Sequence, residues 1–205
     1  MIVVKFLLFS LLFFLNVLHA QNVKNLAYNI ASELDQIYNI DKYIILSYIK
    51  TESNFEPYAI SLKTTKIDFT KKLFNHLKIK NVADKKYISI YPKNTEQAEI
   101  AYQIIKDNKT RLGIENYDLG IMQINTNNIK RWGADEREIY LNMAKNMQFG
   151  AVIIRSCYDE LKHKTHLENI IECYNRGNNL KKLNTSPKKY LAQFMRNYEN
   201  FIKNK

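Results

Sequence analysis

The chain has 205 residues, 46% of them hydrophobic and 25% charged, which excludes wholesale disorder and a small scaffold held only by disulfides, and suits one domain with a real core. Five glycines and three prolines are too few for the tight turns of an all-β sandwich or propeller, so a mainly helical fold is expected. The formal net charge is +11, but the lysines are scattered or paired, without an Arg-rich recognition helix, so an anionic envelope surface, or simply the background composition of the chain, explains the charge better than nucleic acid.

Lys5, the apolar run from Phe6 to Leu15, and Leu18-His19-Ala20 before Gln21 read as an export leader over residues 1–20. The alternative is an uncleaved anchor, but the run is short of the roughly 20 residues that a spanning helix needs. Residues 21–205 read as one domain, with no internal repeat and no linker rich in Pro, Gly or Ser. Leu26, Ile30, Leu34 and Ile37 place an apolar stripe on a first helix. Asp41 caps the second, with Ile40 and Ile45 at staple positions and Pro57 closing the segment after Phe55. Residues 62–93 are mixed, and the alternation Tyr87-Ile88-Ser89-Ile90-Tyr91 predicts a short strand at 87–91. A helix is expected from Thr95 to Lys109, with others near 122–131, 142–163 and 166–174. Ser186-Pro187 supplies a cap and first-turn proline for a last helix ending near Lys205.

Glu52 is the most informative residue. Ile45, Ile49 and Glu52 fall at i, i+4 and i+7 of the second helix, with Tyr48 and Phe55 alongside, so the carboxyl lies on the face that packs inward. Loss of solvation in such a place raises a carboxyl pKa and keeps a proton available for general acid chemistry. The alternative is a Glu52 turned to the rim, against water or a lysine. Two further stretches place amides and an aromatic beside a glycine: Asn116-Tyr117-Asp118-Leu119-Gly120-Ile121-Met122-Gln123-Ile124-Asn125 and Cys173-Tyr174-Asn175-Arg176-Gly177-Asn178. Amides hydrogen-bond acetamido and hydroxyl groups, tyrosine stacks on a sugar face, and glycine admits a close backbone, so both suit a carbohydrate. Taken singly, the glycines also serve as turn residues, Met122 and Ile124 as core residues and Asn175 as a helix-end residue.

In chain order, Glu52-Ser53-Asn54-Phe55 with Pro57 and Ser61, Gly120 to Asn125, Asn146 with Gly150, and Tyr174-Asn175-Arg176-Gly177-Asn178 resemble the motif set of the lytic transglycosylases. The resemblance runs from about residue 28 to residue 179 and extends toward the Tyr190 helix. The stretch Tyr91-Pro92-Lys93-Asn94-Thr95-Glu96-Gln97-Ala98 and the form of the last motif are most similar to members that accompany type IV secretion and conjugation machines. The resemblance implies a lysozyme-like, predominantly helical α+β single domain with a groove for peptidoglycan glycan strands. It implies Glu52 as the one catalytic carboxyl, cleaving between N-acetylmuramic acid and N-acetylglucosamine to leave a 1,6-anhydro end. Ser61, Gln123, Asn125 and Tyr174 match sugar-contacting positions, and Met122 and Asn175 match further motif positions.

The chain departs from the simplest pattern in a long insert, about residues 62–113, which is expected to roof the groove or dock a partner. Asp118 and Glu56 are the rival second carboxylates; either one across the groove would favour a lysozyme-type muramidase that hydrolyses the bond. Cys157 and Cys173, the only cysteines, both point inward, and a bridge and two buried thiols are equally open. His19, His76, His163 and His166 show no ligand pattern, so neither metal nor cofactor is expected. The expected partners are glycan strands and components of a secretion or conjugation machine, with a monomeric enzyme exported to the periplasm. A non-catalytic wall-binding assembly subunit is the alternative outside enzyme chemistry.

Overall fold

The first helix, α1 (22–38), buries Ala27, Ala31 and Leu34 in the computed structural model, which describes residues 22–161, 166–176 and 188–204. Leu26 and Ile37, expected on that seam, are 49% and 66% exposed. The buried face is rotated because the two alanines let neighbouring elements approach closely, which the larger residues on either side would prevent. Helix α2 (Lys42–Glu52) starts where Asp41 accepts a hydrogen bond from the Tyr43 N–H at 2.8 Å, and it buries Ile44 to Ile49. Its stop is abrupt. Ser53 closes the last turn on the Ile49 carbonyl, and Asn54 and Phe55 then take φ values of 55° and 67°.

The sheet has five antiparallel strands: β1 (Ile60–Thr64), β2 (Lys80–Asp84), β3 (Tyr87–Tyr91), β4 (Ile114–Leu119) and β5 (Ile124–Asn125), in the order β2-β3-β1-β4-β5. The expected strand at 87–91 is β3; the other four were not expected. Ile90, Ile60, Leu119 and Ile124 lie side by side across the sheet and are buried. The next row, Val82, Ser89, Ser61, Asp118 and Asn125, lies on the opposite face, since neighbouring positions along a strand alternate. The insert is therefore built into the fold. It contributes α3 (Ile67–His76), β2, β3 and α4 (Thr95–Asn108), and its Phe74, Ile88 and Ile90 are fully buried.

Beyond the insert, the helix expected over 122–131 begins only at Thr126. Residues 120–123 are a turn between β4 and β5, in which Gln123 has a φ of 49° and donates its N–H to the Gly120 carbonyl at 3.0 Å. Asn125 then caps the short α5 (Thr126–Arg131). An unexpected helix, α6 (Glu136–Leu141), follows the Asp135 cap. The remaining helices are α7 (Met143–Leu161), α8 (Leu167–Arg176) and α9 (Lys188–Lys203). Cys157 and Cys173 form a disulfide between α7 and α8, with Cα atoms 5.9 Å apart. Helix α9 lies against α2, with Phe194 fully buried and its ring 4.7 Å from that of Tyr48. Residues 1–20, expected as an export leader, His163, Gly177-Asn178 and Ser186-Pro187, expected as a helix start, fall outside the described residues. No helix among the described residues is long and apolar enough to cross a membrane.

Candidate active site

Glu52 is the last residue of α2, and three contacts fix that helix end. The Ser53 hydroxyl donates to the Ile121 carbonyl at 2.7 Å, Asn197 of α9 donates to the Thr51 hydroxyl at 2.9 Å, and Tyr48 donates to the Ile170 carbonyl of α8 at 3.3 Å. The helix terminus is thus tied to the β4–β5 turn, to α9 and to α8. The positive φ of Phe55, uncommon for a bulky residue, turns the chain away immediately afterwards. Glu52 is left projecting into a cleft of about 440 Å³ whose lining includes Asp118, Gln123, Asn125, Tyr174 and Asn175.

Burial raises the Glu52 carboxyl from its ordinary 4.5 to about 7, the charge of Asp118 pushes the same way, and a hydrogen bond donated by Tyr190 to Oε1 opposes both. The acid therefore holds its proton into the neutral range and still has a donor waiting for its charged form. Asp118, also burial-shifted, titrates at about 6 against the lowering effect of Asn125, which donates Nδ2 to Oδ1 at 2.7 Å. The phenols of Tyr174 and Tyr190 are pushed well above their usual range by burial first and by the neighbouring Glu52 next, so they act as donors and do not ionise.

The β4–β5 turn positions the amide wall. Gly120 has a φ of +78°, and a Cβ there would stand 2.6 Å from Asn146 Cγ, so glycine is required on both counts. Asn146, fully buried, accepts from the Met122 N–H at 2.9 Å and donates to the Leu119 and Ile139 carbonyls at 2.9 and 3.3 Å, which holds the turn from beneath. Gly150 makes room for the Met122 thioether, which a Cβ would meet at 2.5 Å.

The sequence-predicted site residues then separate by position. Gln123 lines the cleft and donates its amide nitrogen to the Ala59 and Gly120 carbonyls at 3.0 and 2.8 Å. Asn125 lines it and carries Asp118. Tyr174 stacks on Tyr48 with ring centroids 4.3 Å apart and donates to the Met122 carbonyl at 2.8 Å, and Asn175 stands exposed beside it. Met122 itself is fully buried below the cleft, and its backbone alone meets the wall residues. Ser61 lies one strand over from Asp118, in an adjoining hollow of about 330 Å³ that Asp118 also lines. Glu56 opens into a different cleft, so Asp118 is the rival carboxylate that shares the space around Glu52.

Sequence reasoning gave Tyr190 no role. Its partner stands 138 residues away, and no local pattern links the two. Among the described residues, no group of three or more His, Cys, Asp or Glu gathers as a metal site would require.

The model of the transglycosylase SLT domain matches residues 29–197, a span that starts in α1, takes in the whole cleft and ends in α9. No curated protein and no solved structure matches the chain significantly. The matched span holds the buried acid, the amide turn and the tyrosine wall in one lysozyme-like, mostly helical fold, and the chain belongs to the transglycosylase SLT family, whose members are lytic transglycosylases that cleave glycosidic bonds of peptidoglycan outside the cytoplasm.

Proposed function

We propose that this enzyme cleaves the β-1,4 bond between N-acetylmuramic acid and N-acetylglucosamine with Glu52 as both acid and base, leaving a 1,6-anhydro-muramic end. The observation that carries the reading is the half-buried Glu52 held near neutrality with Tyr190 donating to it. In the first step Glu52 gives its proton to the glycosidic oxygen as the C1–O bond breaks. Tyr190 stabilises the carboxylate so formed, while the substrate's own acetamido group stabilises the cationic sugar. In the second, the carboxylate takes the proton of the C6 hydroxyl as that oxygen bonds to C1. The proton returns, and no water enters the product. Gln123, Asn125, Tyr174 and Asn175 hold the sugars against the acid, and Ser61 extends the contact along the sheet face.

Asp118 favours a second reading. A carboxylate in the same cleft could activate water, and the product would then be a reducing end, as in a muramidase. Mass spectrometry of digested sacculi separates the two: an anhydro-muramic product supports transglycosylation and a reducing end overturns it. Glu52→Gln should lower glycan cleavage by at least about 10²-fold with an unchanged circular dichroism spectrum. Undiminished activity would remove Glu52 from the mechanism.

The same reading extends to the setting. Residues 1–20 act as an export leader, the mature enzyme works as a monomer in the periplasm, and it opens the wall locally for a secretion or conjugation machine. The leader pattern, the net charge of +11 and the motif similarity support this extension.

A further inference from the structure

Two residues past Glu52 the chain leaves the active cleft and forms a wall of a second one, of about 410 Å³, closed on its other sides by the start of α1 and by the β2–β3 hairpin of the insert. Four cations, Lys24, Lys50, Lys80 and Lys93, line this cleft against the single carboxylate of Glu56. Among the described residues none of these lysines forms a salt bridge, whereas Lys63, Lys106 and Lys145 elsewhere on the surface each face a glutamate. The ammonium of Lys24 lies 5.9 Å from the Phe55 ring centroid and that of Lys80 lies 5.2 Å from that of Tyr91, while Lys50 donates to Asn54. Cationic heads are thus gathered over aromatic walls. Four like charges set against one carboxylate repel one another on balance, and an incoming anion relieves that repulsion.

We propose that this second cleft binds the peptide stem of peptidoglycan through its carboxylates while the glycan lies against Glu52, an inference that rests on the chain being a peptidoglycan-cleaving enzyme. The sugar backbone of that polymer is neutral, and its negative charge resides on the stems, where carboxylates alternate with small aliphatic groups. Lysine heads over Phe55 and Tyr91 complement both features, and Glu56 complements the amino group of a diamino acid in the stem. The two clefts meet along the chain: Glu52 lines one and Asn54 the other, with only one residue between them. Lys80 and Lys93 come from the insert, which would give that segment a task in recognition.

The test titrates a free stem tripeptide, L-Ala-γ-D-Glu-diaminopimelate, into the full chain carrying Glu52→Gln, with and without Lys80→Ala/Lys93→Ala, and compares inorganic phosphate as the probe. Both lysines are exposed, so the double variant should fold normally. The proposal expects peptide binding that weakens about fivefold or more in the double variant and falls with added salt. Binding unchanged by the double substitution, or phosphate bound as tightly as the peptide, overturns it. In the active chain, the ratio of kcat/KM for peptide-bearing over peptide-free glycan should also drop about fivefold with the double variant. A chain that bound the tripeptide at these lysines yet cut no glycan would defeat the proposed reaction and leave the cleft assignment standing.

Discussion

At the end of α2 one carboxyl answers to three influences. Burial and Asp118 favour its neutral form, and Tyr190 favours its charged form. Replacing Tyr190 with Phe removes the donor and moves the Glu52 pKa higher still, by about one unit or more for a charge-assisted hydrogen bond. The descending limb of the kcat profile, where the acid loses its proton as pH rises, should therefore move to more alkaline pH in Tyr190→Phe. Its maximum should fall about tenfold, because the carboxylate formed in the first step has lost its stabiliser. A pH–rate series on soluble glycan checks both; an unmoved limb would separate Tyr190 from the acid. Glu52 was legible in the sequence because Ile45 and Ile49 fix the face it occupies. Tyr190 was not, because nothing near it records that α9 will close over α2. Met122 was legible both as a motif position and as a core residue, and it is the core residue that the structure shows, packed under the turn against Gly150 with Asn146 holding its N–H.

Helix α9 does for the site what α2 cannot do alone. Phe194 follows Tyr190 by four residues, on the same face of that helix, and its fully buried ring meets Tyr48 edge-on. Phe194→Ala should cost about 3–5 kcal/mol in urea denaturation and lower activity at temperatures where the fold persists, because the tyrosine that serves Glu52 loses its anchor. Stability within about 1 kcal/mol of the parent would show that α9 is held elsewhere. The elements themselves varied in legibility for local reasons. Helix α4 was expected from Thr95 and starts there, where the Asn94 side chain accepts from the Gln97 N–H at 2.9 Å, and β3 was readable from strict alternation. Strand β1 alternates as well, Ile60-Ser61-Leu62-Lys63-Thr64, with every second residue buried. Strand β2 carries no apolar alternation, so its pairing with β3 could only be seen in three dimensions. The two-residue β5 sits inside an apolar stretch that reads equally well as helix, and the positive φ of Gln123 is what ends that possibility.

Across the whole molecule, the acids of the cleft set how stability responds to pH. Glu52 and Asp118 are both raised in the folded chain, to about 7 and about 6, above their ordinary 4.5 and 3.8. Between about pH 4 and pH 7 the folded protein therefore holds more protons than the unfolded chain, so this contribution to stability is greatest at the acidic end, declines as pH rises through the window, and is constant above it. Glu52→Gln should be more stable than the parent at pH 8, by about 1–3 kcal/mol, and nearly equal to it at pH 4.5. Denaturation midpoints at the two pH values test the sign; a variant less stable than the parent at pH 8 would contradict it. Activity and stability pull in opposite directions at this one carboxyl.

The bond between Cys157 and Cys173 ends one residue before Tyr174. Joining α7 to α8 at that point adds a covalent tether to the wall whose ring stacks on Tyr48 and donates to the Met122 carbonyl, so sulfur and phenol brace the same helix from opposite directions along the chain.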